Sequence, residues 1–178
     1  VISDYRLNRY AKDIEKAHFN FKDVAKMVRT GALPPFEYLG EGESRITIGN
    51  GKEAIKVAIS KLGAAQNTIE SVILSELDDP RIKRHVPNFY GISENKYCLH
   101  VEQIKGPIAD FKLFFNHDDF WGFRELVIDQ DLDEDNVLWC AKRNTWVAVD
   151  LGCCWQTKNL DEMVRLLRAG ESLDDFAI

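Results

Sequence analysis

The sequence predicts an α+β chain whose order is helix, five strands interrupted by one helix, helix, hairpin, helix. Three observations carry that reading. From Phe36 the texture turns strand-like, in "FEYLGEGES", "RITIG" and "EAIKVAIS", and the "GNGK" between the second and third is a strong hairpin signal. The stretch "AAQNTIESVILSELDDP" then places Ile69, Ile73 and Leu77 on one helical stripe, with Pro80 at its end. Further on, "NVLWC" and "TWVAVDLG" flank the turn "AKRN" and read as a second hairpin.

The remaining elements follow in order. Residues 1–35 carry apolar side chains at mixed helical spacing until Gly31 and Pro34-Pro35 stop the run, which predicts a helical N-terminal extension. After the central helix, "HVPNFYGI" and "KYCLHVEQI" supply two more strands, ending at Gly106-Pro107. The aromatic-rich "IADFKLFFNHDDFWGFRELVI" reads as helical, with a break near Gly122. The amphipathic "NLDEMVRLLRAG" reads as a last helix ending at Gly170. No internal repeat or Ser/Gly-rich linker divides the 178 residues, so one domain or two small lobes is expected.

Composition excludes several classes of function. A formal charge of -6 and a pI near 5.3 oppose a general nucleic-acid binder, which needs clustered Lys and Arg. Apolar runs such as "VAVDLGCCW" are far shorter than a membrane span, and "VISDYRLNRY" has no signal-peptide core. A cytoplasmic location is therefore expected, including a host cytosol if the protein is delivered as an effector. Cys98, Cys140, Cys153 and Cys154 show no C-x-x-C spacing, and His18, His85, His100 and His117 show no H-E-x-x-H, so zinc is not expected and free thiols are.

Several short stretches could carry chemistry, and each also has a plain structural reading. In "YLGEGES", Gly40 and Gly42 would let backbone N–H groups approach a phosphate, or would simply make a tight turn. Period two in "EAIKVAIS" puts Ala54, Lys56 and Ala58 on one face and Ile55, Val57 and Ile59 on the other, so Lys56 either faces a flat ligand or snorkels from an edge strand. Glu70 could reach that lysine, or could close a capping box in "NTIE". The acidic "DQDLDEDN" holds Asp131 five residues before Asn136, and the hairpin that starts at Asn136 returns to Asp150. An amide oxygen and a carboxylate at adjacent strand ends are hard ligands suited to magnesium, and a second carboxylate nearby could accept a proton.

Taken in order, G-x-G, strand lysine, helix glutamate, D-x-x-x-x-N and D-L-G resemble the protein kinase-like superfamily from about Leu39 to Gly152. The resemblance implies a kinase-like N-lobe over 36–105, a five-stranded antiparallel sheet plus one helix, and a truncated, mostly helical C-lobe over 106–178. It implies ATP and Mg²⁺ as cofactors. Gly40 and Gly42 would cover the phosphates with help from Ser44, Ala54 would touch adenine, and Lys56 would bind phosphate and pair with Glu70. Val101 would stand at the gatekeeper place, and Glu102 to Ile104 would offer backbone groups to the base. Asp131 would be the catalytic base, and Asn136 and Asp150 the metal ligands.

The departures are as informative. Arg45 stands where the family pattern has its third glycine, Asp129 and Gln130 replace the His and Arg before the base, and Leu151 replaces the Phe after Asp150. Residues 153–178 contain no A-P-E, and a reduced lower lobe is therefore expected. The expected activity is phosphoryl transfer to a Ser, Thr or Tyr hydroxyl of a protein partner. The alternatives are a pseudokinase-like interaction module and a small-molecule kinase of the aminoglycoside type. Oligomeric state is not legible.

Overall fold

The computed structural model describes residues 2–17, 21–30, 33–109, 127–129, 134–152 and 154–156. Two helices, α1 (Asp4–Ala17) and α2 (Phe21–Arg29), precede strands β1 (Glu37–Glu41), β2 (Arg45–Gly49) and β3 (Glu53–Ala58). Helix α3 (Lys61–Glu76) and a short α4 (Pro80–Lys83) lead into β4 (Phe89–Ile92) and β5 (Cys98–Glu102). All five strands pair antiparallel in the order β1-β2-β3-β5-β4. Beyond them lie β6 (Val127–Asp129), a 3₁₀ turn at Glu134–Asn136, the hairpin β7 (Val137–Cys140) and β8 (Thr145–Ala148), and β9 (Cys154–Gln156), which pairs with β6.

Alternation along the strands decides what each face of the sheet holds. Ile46, Ile48, Ile55, Val57 and Cys98 pack outward against Leu7, Tyr10, Ala11 and Ile14 of α1 and Val24, Ala25 and Val28 of α2. The α1 residues recur at i, i+3, i+4 and i+7, the spacing that lays one helical stripe on a surface. On the other face, Ala54, Leu99 and Val101 meet Ile69, Ile73, Leu74 and Leu77 of α3, together with Val137, Trp146, Ala148 and Leu151 from the hairpin region. Cys98 and Cys140 are buried free thiols.

Three departures from the sequence expectations have local causes. Helix α3 starts at Lys61, capped by the Ser60 side chain accepting from the Gly63 N–H at 3.0 Å, so "NTIE" lies inside the helix and is not its cap. Gly63 is needed there, since a Cβ would overlap the Ser44 carbonyl. Helix α4 arises from Asp79, whose carboxylate caps the Arg81 N–H at 2.9 Å ahead of a Pro at the first turn. The ends of the stretch expected to be helical from Ile108 are extended: Ile108 bridges Leu138, and Val127–Asp129 is β6. The rest of that stretch and the helix expected at 159–170 lie outside the described residues.

The hairpin is clamped to the sheet. His85 is fully buried, stacks on Trp146 with ring centroids 4.0 Å apart, and accepts the Ala148 N–H at its carbonyl at 2.8 Å. Arg143 donates to the Val86 carbonyl at 2.7 Å and pairs with Glu102 at the end of β5. Gly106 passes so close to the hairpin that a Cβ would overlap the Trp139 carbonyl.

At the α1 side, His100 and Glu53 form a buried pair at 3.1 Å, and the Ile2 N–H donates to the same carboxylate at 3.0 Å. Burial lowers the His100 imidazole below its ordinary 6.5, opposed by Glu53. With the folded value depressed, its contribution to stability is present above about pH 6.5 and is lost as pH falls below it. Urea midpoints are therefore expected to fall between about pH 7.5 and pH 5.5, and His100→Gln to flatten that slope.

Candidate functional site

A cleft of about 1070 Å³ opens between the inner face of the sheet and the hairpin. Its walls include Gly40, Gly42, Ser44, Arg45, Ala54, Lys56, Val101, Glu102, Ile104, Asn136 and Asp150, so every described candidate residue named from the sequence lies on it except Glu70. Glu70 sits directly behind Lys56. Asp131 lies outside the described residues.

Strand β3 presents Lys56 toward this cleft between Ala54 and Ala58, opposite Thr47 and Leu99 of its neighbours. Its ammonium donates to both Glu70 oxygens, at 2.7 and 2.8 Å, and to the Val149 carbonyl at 2.6 Å, and it stands 3.8 Å from the Asp150 carboxylate. Glu70 is reached because α3 starts at Lys61, behind the Ser60 cap: it falls in mid-helix beside the apolar stripe and is fully buried. Asn67, one turn earlier, is equally buried and donates to the carbonyls of Lys56 and Lys96 at 3.2 and 3.0 Å, tying the helix to the strand.

Arg45 is the residue that sequence reasoning missed as part of the site. It opens β2, is 7% exposed, and donates to Glu70 at 2.8 Å and to Asp150. Gly152 makes room for it, because a Cβ there would overlap the guanidinium. The signal was available: the register set by "GNGK" pairs Thr47 with Lys56, so period two in "RITI" puts Arg45 on the same face as Lys56. Four side chains thus form one cluster, two cations and two carboxylates. Burial alone would raise the Asp150 carboxyl, yet the Lys56 and Arg45 cations and the Gly152 N–H outweigh it and hold it well below the usual carboxylate range. Burial likewise opposes the Arg45 charge, but Asp150 and Glu70 more than compensate and raise it.

The other walls are set by backbone. Gly40 and Gly42 have open space around them, and between them Glu41 is gripped by Arg29 of α2, with Nε to Oε2 at 3.1 Å. The Ser44 hydroxyl donates to the Gln66 side chain. At the back, the Glu102 N–H donates to Asn88 and the Gln103 N–H to Lys52, at 2.9 and 3.0 Å, so neither of the two N–H groups ahead of Ile104 is open to a ligand. The Val149 N–H donates to the Asn136 carbonyl at 2.8 Å, which holds the strand end bearing Asp150 against Asn136. Asn136 and Asp150 suit a hard divalent cation in kind, as two oxygen donors on one cleft wall. Among the described residues no group of three or more His, Cys, Asp or Glu converges as a metal cluster.

Five antiparallel strands, one helix carrying a glutamate against a strand lysine, and a hairpin closing a cleft beneath them make this a protein kinase-like fold. Among solved structures, the chain resembles the GDP complex of wild-type aminoglycoside 2'-phosphotransferase-IIIa at 16% identity and a TM-score of 0.50, a match spanning 86% of this chain and 83% of that one. It also resembles the GDP and kanamycin complex of APH(2")-IIia (14% identity, TM-score 0.46, 82% and 80%) and WbdD crystallised with the kinase inhibitor LY294002 (14%, 0.45). The last match spans 80% of this chain and 38% of WbdD. These likenesses are of fold. No family model and no curated protein matches the sequence. Among the described residues no helix is long and apolar enough to cross a membrane.

Proposed function

We propose that the cleft binds ATP and that the chain is a phosphotransferase of kinase-like fold, acting on a hydroxyl acceptor. The observation that carries this reading is the Lys56–Glu70 pair at 2.7 Å, with Asp150 3.8 Å from the same ammonium and both Lys56 and Asp150 on the wall of one cleft. A buried lysine locked by a glutamate is a fixed cation, and phosphoryl transfer asks little of a protein beyond fixed charge and alignment. In this reading Ala54 and Val101 contact the base, the Glu102 carbonyl and the Ile104 N–H orient it, and the Gly40–Gly42 loop lies over the phosphates. Lys56 steadies the phosphate oxygens. Asp131 accepts the proton of the acceptor hydroxyl as its oxygen takes the γ-phosphoryl group and the nucleoside diphosphate leaves. Asn136 and Asp150 would hold Mg²⁺, which when bound offsets the negative charge of the phosphates. We assign the acceptor to a protein side chain. The aminoglycoside phosphotransferase among the structural neighbours makes a small-molecule hydroxyl the alternative to test beside it.

Mg-ATP at about 100 times its Kd is expected to stabilise the protein by about 2.7 kcal/mol, a rise in melting temperature of about 5–10 °C, with Asp150→Asn losing most of it. Absence of any shift at millimolar Mg-ATP would remove the nucleotide reading. Labelled ATP then separates the outcomes: label on a protein or small-molecule acceptor with Asp131 intact, and none with Asp131→Ala, is expected of the enzyme. A second reading, a nucleotide-binding interaction module without turnover, is favoured by the Arg45 contact to Asp150 and would give the thermal shift with no transfer of label.

A further inference from the structure

Arg45 is too well built into the site to be a neutral replacement for glycine. It is 7% exposed, and its donors go to Glu70 at 2.8 Å, to the Asn67 side-chain oxygen at 3.4 Å and to Asp150 Oδ1. The same Oδ1 accepts the Gly152 N–H at 3.1 Å and lies 3.8 Å from the Lys56 ammonium. The guanidinium fills the space that a side chain at position 152 would need, so the glycine and the arginine are complementary in shape. Asp150 still has 40% of its side chain exposed to the cleft, so its carboxylate is accessible, but one oxygen is committed. Two cations and two carboxylates sum to zero within this cluster. A divalent cation arriving at Asp150 would add two charges to a balanced group and would meet two positive neighbours across a poorly screened site.

We propose that Arg45 is a resident counter-cation that occupies Asp150 in the ligand-free protein, and that a divalent cation gains this carboxylate only when Arg45 lets it go. The inference rests on Asp150 being the metal carboxylate of the proposed function and adds the residue that controls access to it. A phosphate group is the natural destination for the released guanidinium: Arg45 lines the same cleft as Gly40 and Gly42, and its planar fork matches phosphate oxygens two at a time. Nucleotide therefore precedes metal in filling the site.

The test uses the full chain and Mn²⁺ alone, without nucleotide, followed by the electron paramagnetic resonance signal of unbound Mn²⁺. The wild type is expected to show no submillimolar site. Arg45→Gln, which keeps the length and loses the charge, is expected to gain a site tighter on the order of tenfold or more. Arg45→Lys restores a cation and is expected to match the wild type, and adding Asp150→Asn to Arg45→Gln is expected to remove the gained site. Equal Mn²⁺ affinity of wild type and Arg45→Gln overturns the proposal, as does a submillimolar site in the wild type, which needs no variant to fold. Failure of Mg-ATP to stabilise the protein would remove the nucleotide reading and leave this metal titration interpretable, and the reverse also holds.

Discussion

Glu70→Ala is expected to cost about 3–5 kcal/mol of stability, read as a lower urea midpoint with an unchanged slope. Glu70 has no exposed surface and accepts from Lys56 at 2.7 and 2.8 Å and from Arg45 at 2.8 Å. Truncation leaves two buried cations sharing Asp150, which is itself half-open to solvent. The penalty is that of uncompensated buried charge, which exceeds what the ion pair contributes in the intact protein. Two comparisons separate this from simple loss of packing. Glu70→Gln keeps the shape and part of the hydrogen bonding, so its loss should be smaller. The double variant Lys56→Met with Glu70→Leu removes the charge pair altogether, and should recover most of the stability while losing the response to Mg-ATP. A Glu70→Ala protein within 1 kcal/mol of wild type would mean that the cluster is far more hydrated than its burial implies.

Deleting residues 1–30 is expected to abolish cooperative folding, measured as loss of a sigmoidal urea transition and as exposure of dye-binding apolar surface. Leu7, Tyr10, Ile14, Val24 and Val28 are each at most 4% exposed and cover Ile46, Ile48, Ile55 and Val57, three of which are fully buried. At about 1.5–3 kcal/mol per large apolar side chain, the five residues removed alone match the whole stability of an ordinary domain, before the uncovered strands are counted. A milder version is Ile14→Asp, which places an unpaired carboxylate in a fully buried position and should cost more than about 4 kcal/mol. If the shortened chain still melts cooperatively, the two helices are an appendage and the sheet is covered some other way. The deletion bears on the site too, since Arg29 of α2 grips Glu41 between Gly40 and Gly42.

Which side chains share a face of a strand was legible from alternation alone. Lys56 sits between Ala54 and Ala58 on the cleft side, and Ile55 and Val57 face the other way, because successive residues of an extended chain point to opposite faces wherever the strand is placed. The hairpin at Asn136 to Gly152 was legible for a similar reason: a short turn between two apolar runs leaves the chain one way back. Glu70 was not settled by such rules. "NTIE" satisfies a capping pattern, and only the real start of α3 at Lys61, capped by Ser60, turns Asn67 and Glu70 into buried mid-helix residues aimed at the strand.

By itself, then, the sequence determined the five strands, the later hairpin and the side chains that share each strand face, since these depend on short-range spacing. Which polar groups meet was decided by the tertiary structure. Arg45 and Asp150 are separated by 105 positions, and Arg45 and Glu70 by 25. Their contact requires the helix to pack on one face of the sheet and the hairpin to close beneath it. Burial then makes a charge without a partner costly, and the contacts of Arg45 with Glu70 and Asp150 offset that cost.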